Sequence, residues 1–373
     1  MTQNHQLGPV RQVVFQATPF CNIDCSYCYL PNRNDTRRMT QDIIAATFRQ
    51  IMAAQLPASK LEVRWHAGEP LIVGQEFYRS ACSLIKLIAQ DSISIEHTLQ
   101  TNGILIDKSW CDVFRELPIR VGVSIDGPEF IHNARRVTRN GAGTFSEVMK
   151  GIAWLRTYSI PFDVIAVVTL DTMKHADEVL EFFALLGMRS LGINVEESEG
   201  VHVSSSFQDE RYPQAYKSFL VKLLSWEQHT GIAVREFMKM RNRIFTSTAL
   251  NVQVSPFGII TVDVSGNIHT FSPELAGLQH PSWASFSLGN VLSDSIESIV
   301  KTKSFHALFD SIQEGVGKCQ DSCQYFTLCG GGSPVNKLFE NGTFVSTETI
   351  YCRSNIQAVA DVVITQIEEK PRH

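Results

Sequence analysis

The sequence predicts an α/β fold built on a parallel sheet, and three features predict it. Short β-branched runs alternate with amphipathic helical stretches about six times between residues 10 and 197, the rhythm that parallel strands and their crossover helices leave in a sequence. Each strand candidate is followed by polar or glycine-containing residues, and parallel α/β folds build their sites at those strand ends. Hydrophobic residues make up 44% of the 373 and charged residues 19%, a balance that fills a large core and argues against disorder. Periodicity alone leaves open a doubly wound sheet or a closed or partial barrel.

Strands are expected at residues 11–16, 61–66, 94–100, 120–125, 163–169 and 191–195, with helices at 41–54, 75–89, 107–116, 145–158 and 172–186. Polar chemistry follows each strand in turn: residues 18–28, 67–70, 101–103 and 124–127, then Thr169, then Glu196 and Glu197. Six strand ends meeting on one rim make a site-like arrangement. Residues 198–250 read as a linker, serine-rich at first, with helices at 213–229 and 233–246. From residue 251 the character changes to a hairpin (259–264 and 268–271), a helix around 293–311, a cysteine- and glycine-rich stretch at 319–333 and a last helix at 354–369. This late part is too poor in regular structure to fold without a staple, and a metal centre is the natural one. Three units are therefore expected: 1–197, 198–250 and 251–373.

The net charge of −5, with 33 basic and 38 acidic residues and no basic block, gives nucleic-acid binding little electrostatic support. The longest apolar stretches are strand-length, far short of the ~20 residues of a membrane span, and residues 1–9 lack a signal-peptide core. A cytoplasmic location is expected. Nine cysteines in a reducing compartment do not form a disulfide framework, so clustered thiols point to metal. Three lie at Cys21, Cys25 and Cys28, and four lie late, at Cys319, Cys323, Cys329 and Cys352. Cys82 and Cys111 stand alone in helical stretches and are expected in the core.

Cys21-Asn-Ile-Asp-Cys25-Ser-Tyr-Cys28 places three thiols on the loop leaving the first strand. Three thiolates hold three corners of an iron–sulfur cubane and leave the fourth iron open to a chelating small molecule. A zinc knuckle short of one ligand, or a redox CxxC, has the same spacing. The position on a first βα loop, with Tyr29 after the third cysteine and Gly-Glu-Pro after the next strand, favours the cluster.

The stretch CNIDCSYCY resembles the signature of the radical S-adenosylmethionine (SAM) family, and the resemblance covers roughly residues 10–200. It implies a partial (β/α)6 TIM-type barrel, a SAM-binding [4Fe–4S] cluster on Cys21, Cys25 and Cys28, and SAM as cofactor. Gly68 and Glu69 match the family's strand end that receives the SAM amino group, with Ala67 in place of its first glycine. Ser124 and Asp126 match contacts to the SAM ribose and carboxylate, and Arg136 an arginine reaching that carboxylate. Asn102 is expected to line the same cavity, and the backbone around Tyr27 and Tyr29 to meet the adenine.

The late cysteines follow a C-x3-C-x5-C spacing, with Cys352 after 22 further residues. Four thiolates suit structural zinc or a fully ligated [4Fe–4S] cluster, and spacing does not choose between them. The segment resembles the SPASM (twitch-like) extension of radical SAM peptide modifiers, which implies one auxiliary [4Fe–4S] cluster. That extension commonly has seven cysteines and two clusters. Here the position four after Cys329 is Ser333, and the hairpin carries Asp263, Ser265, Thr270 and Ser272, so a pocket is expected where the other cluster would sit.

A narrower resemblance rests on Gly8-Pro9, TPFCN, CYLPNR, Ser272-Pro273-Glu274, CGGGSPVNK and Glu348-Thr-x-x-Cys352-Arg. These are similar to the cyclophane-forming radical SAM/SPASM maturases of ribosomal peptides, the GrrM/OscB type. The resemblance implies a ribosomally made precursor peptide as partner and an electron donor such as flavodoxin or ferredoxin. It also implies a crosslink from an aromatic ring to the Cβ of a residue two positions later. Glu274 or Asp263, near the vacated cluster site, is nominated as the final base, although either carboxylate also suits a turn or a surface. Other SPASM reactions, such as thioether formation or sulfatase formylglycine maturation, and a non-catalytic zinc scaffold are the rival readings. The nine residues before the first strand leave leader recognition to the barrel, the linker helices or the late domain.

Overall fold

A computed structural model describes residues 7–246 and 251–369. Strands β1 (Val10–Phe15), β2 (Pro57–Trp65), β3 (Ser94–Thr101), β4 (Ile119–Ser124), β5 (Phe162–Val168) and β6 (Ser190–Val195) lie side by side in chain order, all parallel. The six expected strands are all present, with β2 starting at Pro57 instead of 61. A doubly wound sheet reverses its strand order midway. Here the order never reverses, so right-handed crossovers place the helices on one face. The sheet does not close either, because the outer edge of β6 pairs with β7 (Ala233–Val234) and that of β1 with β8 (Ile259–Val262). The architecture is a partial (β/α)6 barrel.

The late part is less separate than the sequence suggests. β8 runs parallel to β1, β9 (Asn267–Thr270) folds back on β8, and Gly289–Asn290 pairs with β9. The boundary at residue 251 therefore cuts a continuous sheet. Residues 233–234 add a strand where a helix start is expected, and the helix proper is Arg235–Thr246. The stretch expected as one helix at 293–311 is two, Ile296–Ile299 and Lys303–Ser322. Thr302 restarts it by accepting a hydrogen bond from Phe305 N, as an N-cap does, and the second helix carries Cys319. Residues 172–186 likewise split at His175 into Leu170–Lys174 and Ala176–Leu185.

The barrel helices bury one stripe each. In Gln75–Ala89 the buried residues are Tyr78, Ala81, Cys82, Ile85 and Ala89, the three- and four-residue steps of an amphipathic helix. Phe15 stacks on Trp65 at 5.1 Å, and Trp65 meets Tyr78 edge-on at 5.3 Å, tying the sheet to this helix. Full burial of such side chains stabilises by about 1.5–3 kcal/mol apiece. Cys82 and Cys111 are buried here as core residues. Among the described residues no helix is long and apolar enough to cross a membrane.

Candidate active site

Cys21, Cys25 and Cys28 occupy the loop leaving β1 at the C-terminal rim of the sheet. All three are free thiols, half-buried. The loop is pinned by a neighbouring segment: Asp24 N donates to Val137 O at 2.7 Å, Ser26 N to Arg135 O at 2.9 Å, and Arg139 Nε to Cys21 O at 2.9 Å. Burial pushes the Cys21 thiol up to about 12, with Glu69, Cys25 and Cys28 adding to the effect. Cys25 is pushed up to about 11 by burial, opposed by Arg136. Thiols in this setting keep their protons until a cationic centre replaces them. Three converging sulfurs fit three corners of a cluster.

β2 ends in two residues with left-handed backbone, Ala67 (φ 72°) and Gly68 (φ 64°). Gly68 is where the cysteine loop passes closest. A Cβ there would stand 2.2 Å from Thr18 O and 2.8 Å from Phe20 O, both backbone atoms. Gly68→Ala is therefore expected to destabilise by about 1–3 kcal/mol through overpacking, plus roughly 1 kcal/mol for the left-handed backbone. Thermal melting checks this, with Gly141→Ala as control, because Gly141 has φ 80° but open space around it. Equal melting of the two variants would reject the steric argument.

Glu69 is fully buried and ties two strand ends together. It accepts from Leu71 N (3.0 Å), Thr101 Oγ1 (2.7 Å) and Asn102 N (2.8 Å). A carboxylate has about four acceptor positions, so one is left for a further donor such as an ammonium. Burial pushes its carboxyl up against those three donors. Asn102 Nδ2 donates to Asn22 Oδ1 at 2.8 Å and approaches Cys21 Sγ at 3.8 Å, while its Oδ1 accepts from Ile104 N. It braces the cysteine loop. Ser124 Oγ accepts from Gln100 Nε2 at 2.8 Å.

The Tyr27 phenol stands between two charges. Arg136 Nη1 donates to Tyr27 Oη at 2.6 Å, and Tyr27 Oη donates to Asp126 Oδ2 at 2.5 Å. Asp126 Oδ1 also accepts from Val167 N. Burial pushes the Tyr27 phenol well up, so it stays protonated and relays between the charges. Arg136 is 7% exposed and Asp126 2%, and Arg136 Nε is buried without a partner among the described residues. That unsatisfied donor suits an anionic ligand. Beside this string, a cavity of about 160 Å³ is lined by Asp126, Arg135, Val167, Thr169, Phe130 and His175.

A group of half-buried carboxylates gathers near Tyr29 and the early loop. Glu197 and Glu199 follow β6, Glu274 follows β9, and Glu340 comes from the helix Pro334–Asn341. Burial pushes Glu197 and Glu199 up, and repulsion from Glu274 and Glu340 pushes both further. Burial likewise raises Glu274, to which Ser272 Oγ donates. Asn336 Nδ2 holds Glu197 Oε2 at 2.8 Å. The Tyr29 phenol, buried and without a partner among the described residues, lies in the field of Glu274, Cys28, Glu199 and Glu197. Carboxyls raised in this way are suited to proton transfer. The Glu196-Glu197 pair at a strand end and Glu274 after the hairpin are the members the sequence singles out. Asp263, the other nominated base, is instead committed to the hairpin turn: it accepts from Ser265 N, Asn267 N and Asn267 Nδ2 at 2.8–3.0 Å.

The four late thiols lie within one another's electrostatic reach. Cys319 and Cys329 are buried, Cys323 and Cys352 half-buried. Burial pushes Cys352 up to about 12, with Cys329, Cys323 and Cys319 adding to it. Gly330, Gly331 and Gly332 all have positive φ, a curl that turns the N–H groups of Gly331 and Gly332 toward Cys329. N–H donors around thiolate sulfurs fit an anionic four-sulfur centre.

Residues 15–183 match the model of the radical SAM superfamily. An uncharacterized protein of Synechocystis is 40% identical over 97% of this chain and 93% of its own length. A serine-type anaerobic sulfatase-maturating enzyme of Klebsiella aerogenes is 35% identical over 51% of this chain, which spans about half of that enzyme (47%). Among solved structures, native anSMEcpe with bound AdoMet and Cp18Cys peptide superposes with a TM-score of 0.76 at 21% identity, over 96% of this chain and 98% of that one. Streptococcus suis SuiB bound to precursor peptide SuiA gives 0.65 at 14% identity, over 92% and 76%.

Proposed function

Because the chain belongs to the radical SAM superfamily, we propose that it modifies a ribosomally made precursor peptide by joining an aromatic ring to the β-carbon of a residue two positions later, forming a three-residue cyclophane. The observation that carries this reading is the early thiol trio beside a group of half-buried carboxylates whose carboxyls are raised. Two similar folds with bound peptides add support, as does Ser333 in place of a cysteine of the fuller SPASM set.

Cys21, Cys25 and Cys28 would hold a [4Fe–4S] cluster, with Glu69 taking the SAM ammonium and Arg136 the SAM carboxylate. Asp126 and Ser124 border the same space, and Cys319, Cys323, Cys329 and Cys352 would hold an auxiliary [4Fe–4S] cluster. When bound, the early cluster and SAM supply a carbon radical able to remove a β-hydrogen from the peptide. Glu274, in its carboxylate form, takes the proton the ring loses, with Glu197, Glu199 and Tyr29 around it. In balance the peptide loses two hydrogens, one into 5′-deoxyadenosine and one as a proton. The electron consumed in SAM cleavage is returned as the ring regains aromaticity, and the first electron comes from a donor such as flavodoxin or ferredoxin.

Anaerobic co-expression with a small neighbouring open reading frame is the test. Tandem mass spectrometry should find a product two hydrogens lighter, bridged from ring to Cβ. A sulfur-linked product, or a cysteine or serine converted to formylglycine, would replace this reading with another chemistry of the same fold.

A further inference from the structure

Lys337 is a buried cation without a carboxylate partner. It is 3% exposed, and among the described residues its Nζ bonds only Gly315 O, at 2.9 Å, and Cys319 Sγ, at 3.2 Å. Two features of the chain hold it there. Pro334–Asn341 starts just after the triple-glycine curl, and Gly315, where a Cβ would stand 2.1 Å from Phe344 O, lets its own carbonyl reach the amine. An ammonium buried without a counter-charge is costly, by several kcal/mol, so an anion must face it. The group it faces is a sulfur within electrostatic reach of three more, those of Cys323, Cys329 and Cys352.

Resting on the reading that these four cysteines hold an iron–sulfur cluster, we propose that Lys337 is a positioning residue of that centre. Its ammonium, through the bond to Cys319, offsets the charge of the four-thiolate cluster and raises its reduction potential. One-electron reduction adds a negative charge, and a fixed cation at hydrogen-bond distance favours the more negative state. In the proposed reaction the electron to be accepted is the one released as the crosslinked ring loses its proton to the carboxylates. Lys337 thereby makes the late site a better sink for it.

The test uses the full-length chain carrying Cys28→Ala, so that only late-site iron reports. Lys337→Met removes the charge at similar length, and Lys337→Arg keeps it. Redox titration followed by electron paramagnetic resonance should show a more negative midpoint for Lys337→Met and a smaller displacement for Lys337→Arg. Iron lost from Lys337→Met and restored in Lys337→Arg would also support the role of charge. An unchanged midpoint in Lys337→Met overturns the inference and leaves the cluster reading standing, as does equal loss of iron from both variants with native circular dichroism. No late-site iron in the parent, or zinc in its place, overturns the cluster reading and the inference together.

Discussion

Cys28→Ala is expected to reduce SAM cleavage to background while leaving the late site's iron in place. The early loop offers three sulfurs, and none of the other cysteines lies near them: Cys82 and Cys111 are buried in the core, and the remaining four lie within one another's reach elsewhere. With two thiolates a cubane loses a corner and the loop has no replacement ligand. Backbone geometry should survive, because the bonds that pin the loop run through Asp24, Ser26 and Arg139. Anaerobic reconstitution, iron and sulfide counts, and chromatography of 5′-deoxyadenosine after reduction provide the measurement. Undiminished 5′-deoxyadenosine would reject the assignment of this trio.

Arg136→Met should destabilise the chain by about 3–5 kcal/mol, the cost of stranding the buried Asp126, to which Arg136 is linked through the Tyr27 phenol. Asp126 would remain 2% exposed with Tyr27 and Val167 N as its donors and without the cation beyond them. Tyr27→Phe keeps both charges and removes only the relay, so about 1–2 kcal/mol is expected. Denaturant melts of the two variants, with SAM binding by calorimetry, check the order. If Tyr27→Phe proved the more damaging, the string would act through packing around the ring and not through charge. SAM binding retained in Arg136→Met would remove Arg136 from the carboxylate role.

Which residues were legible in the sequence follows from how far apart their partners lie. The early trio spans eight residues, so its convergence is a property of one loop, and the adjacent strand and Gly-Glu-Pro place that loop at a rim. The six parallel strands were visible because each carries its own apolar run. The late thiols are spread over more than thirty residues, and their spacing suits zinc and an iron–sulfur cluster alike. The carboxylates are legible one by one, Glu197 at a strand end and Glu274 after the hairpin, but their grouping with Glu199 and Glu340 is not, because they come from three separate parts of the chain. Asp263 illustrates the opposite error. A carboxylate in a hairpin satisfies nearby backbone N–H groups, and that local use is the one the structure shows.

Chemistry written within a few residues of chain was therefore determined by the sequence itself: the thiol-bearing loop, the strand and helix periods, and the glycine that lets two backbones touch. Packing alone decided the charge environment. Burial raised the carboxylates, joined Arg136 to Asp126 through the Tyr27 phenol, and set Lys337 against Cys319. The energy of a charge depends on what surrounds it in space, and only the fold brings distant segments into that surrounding.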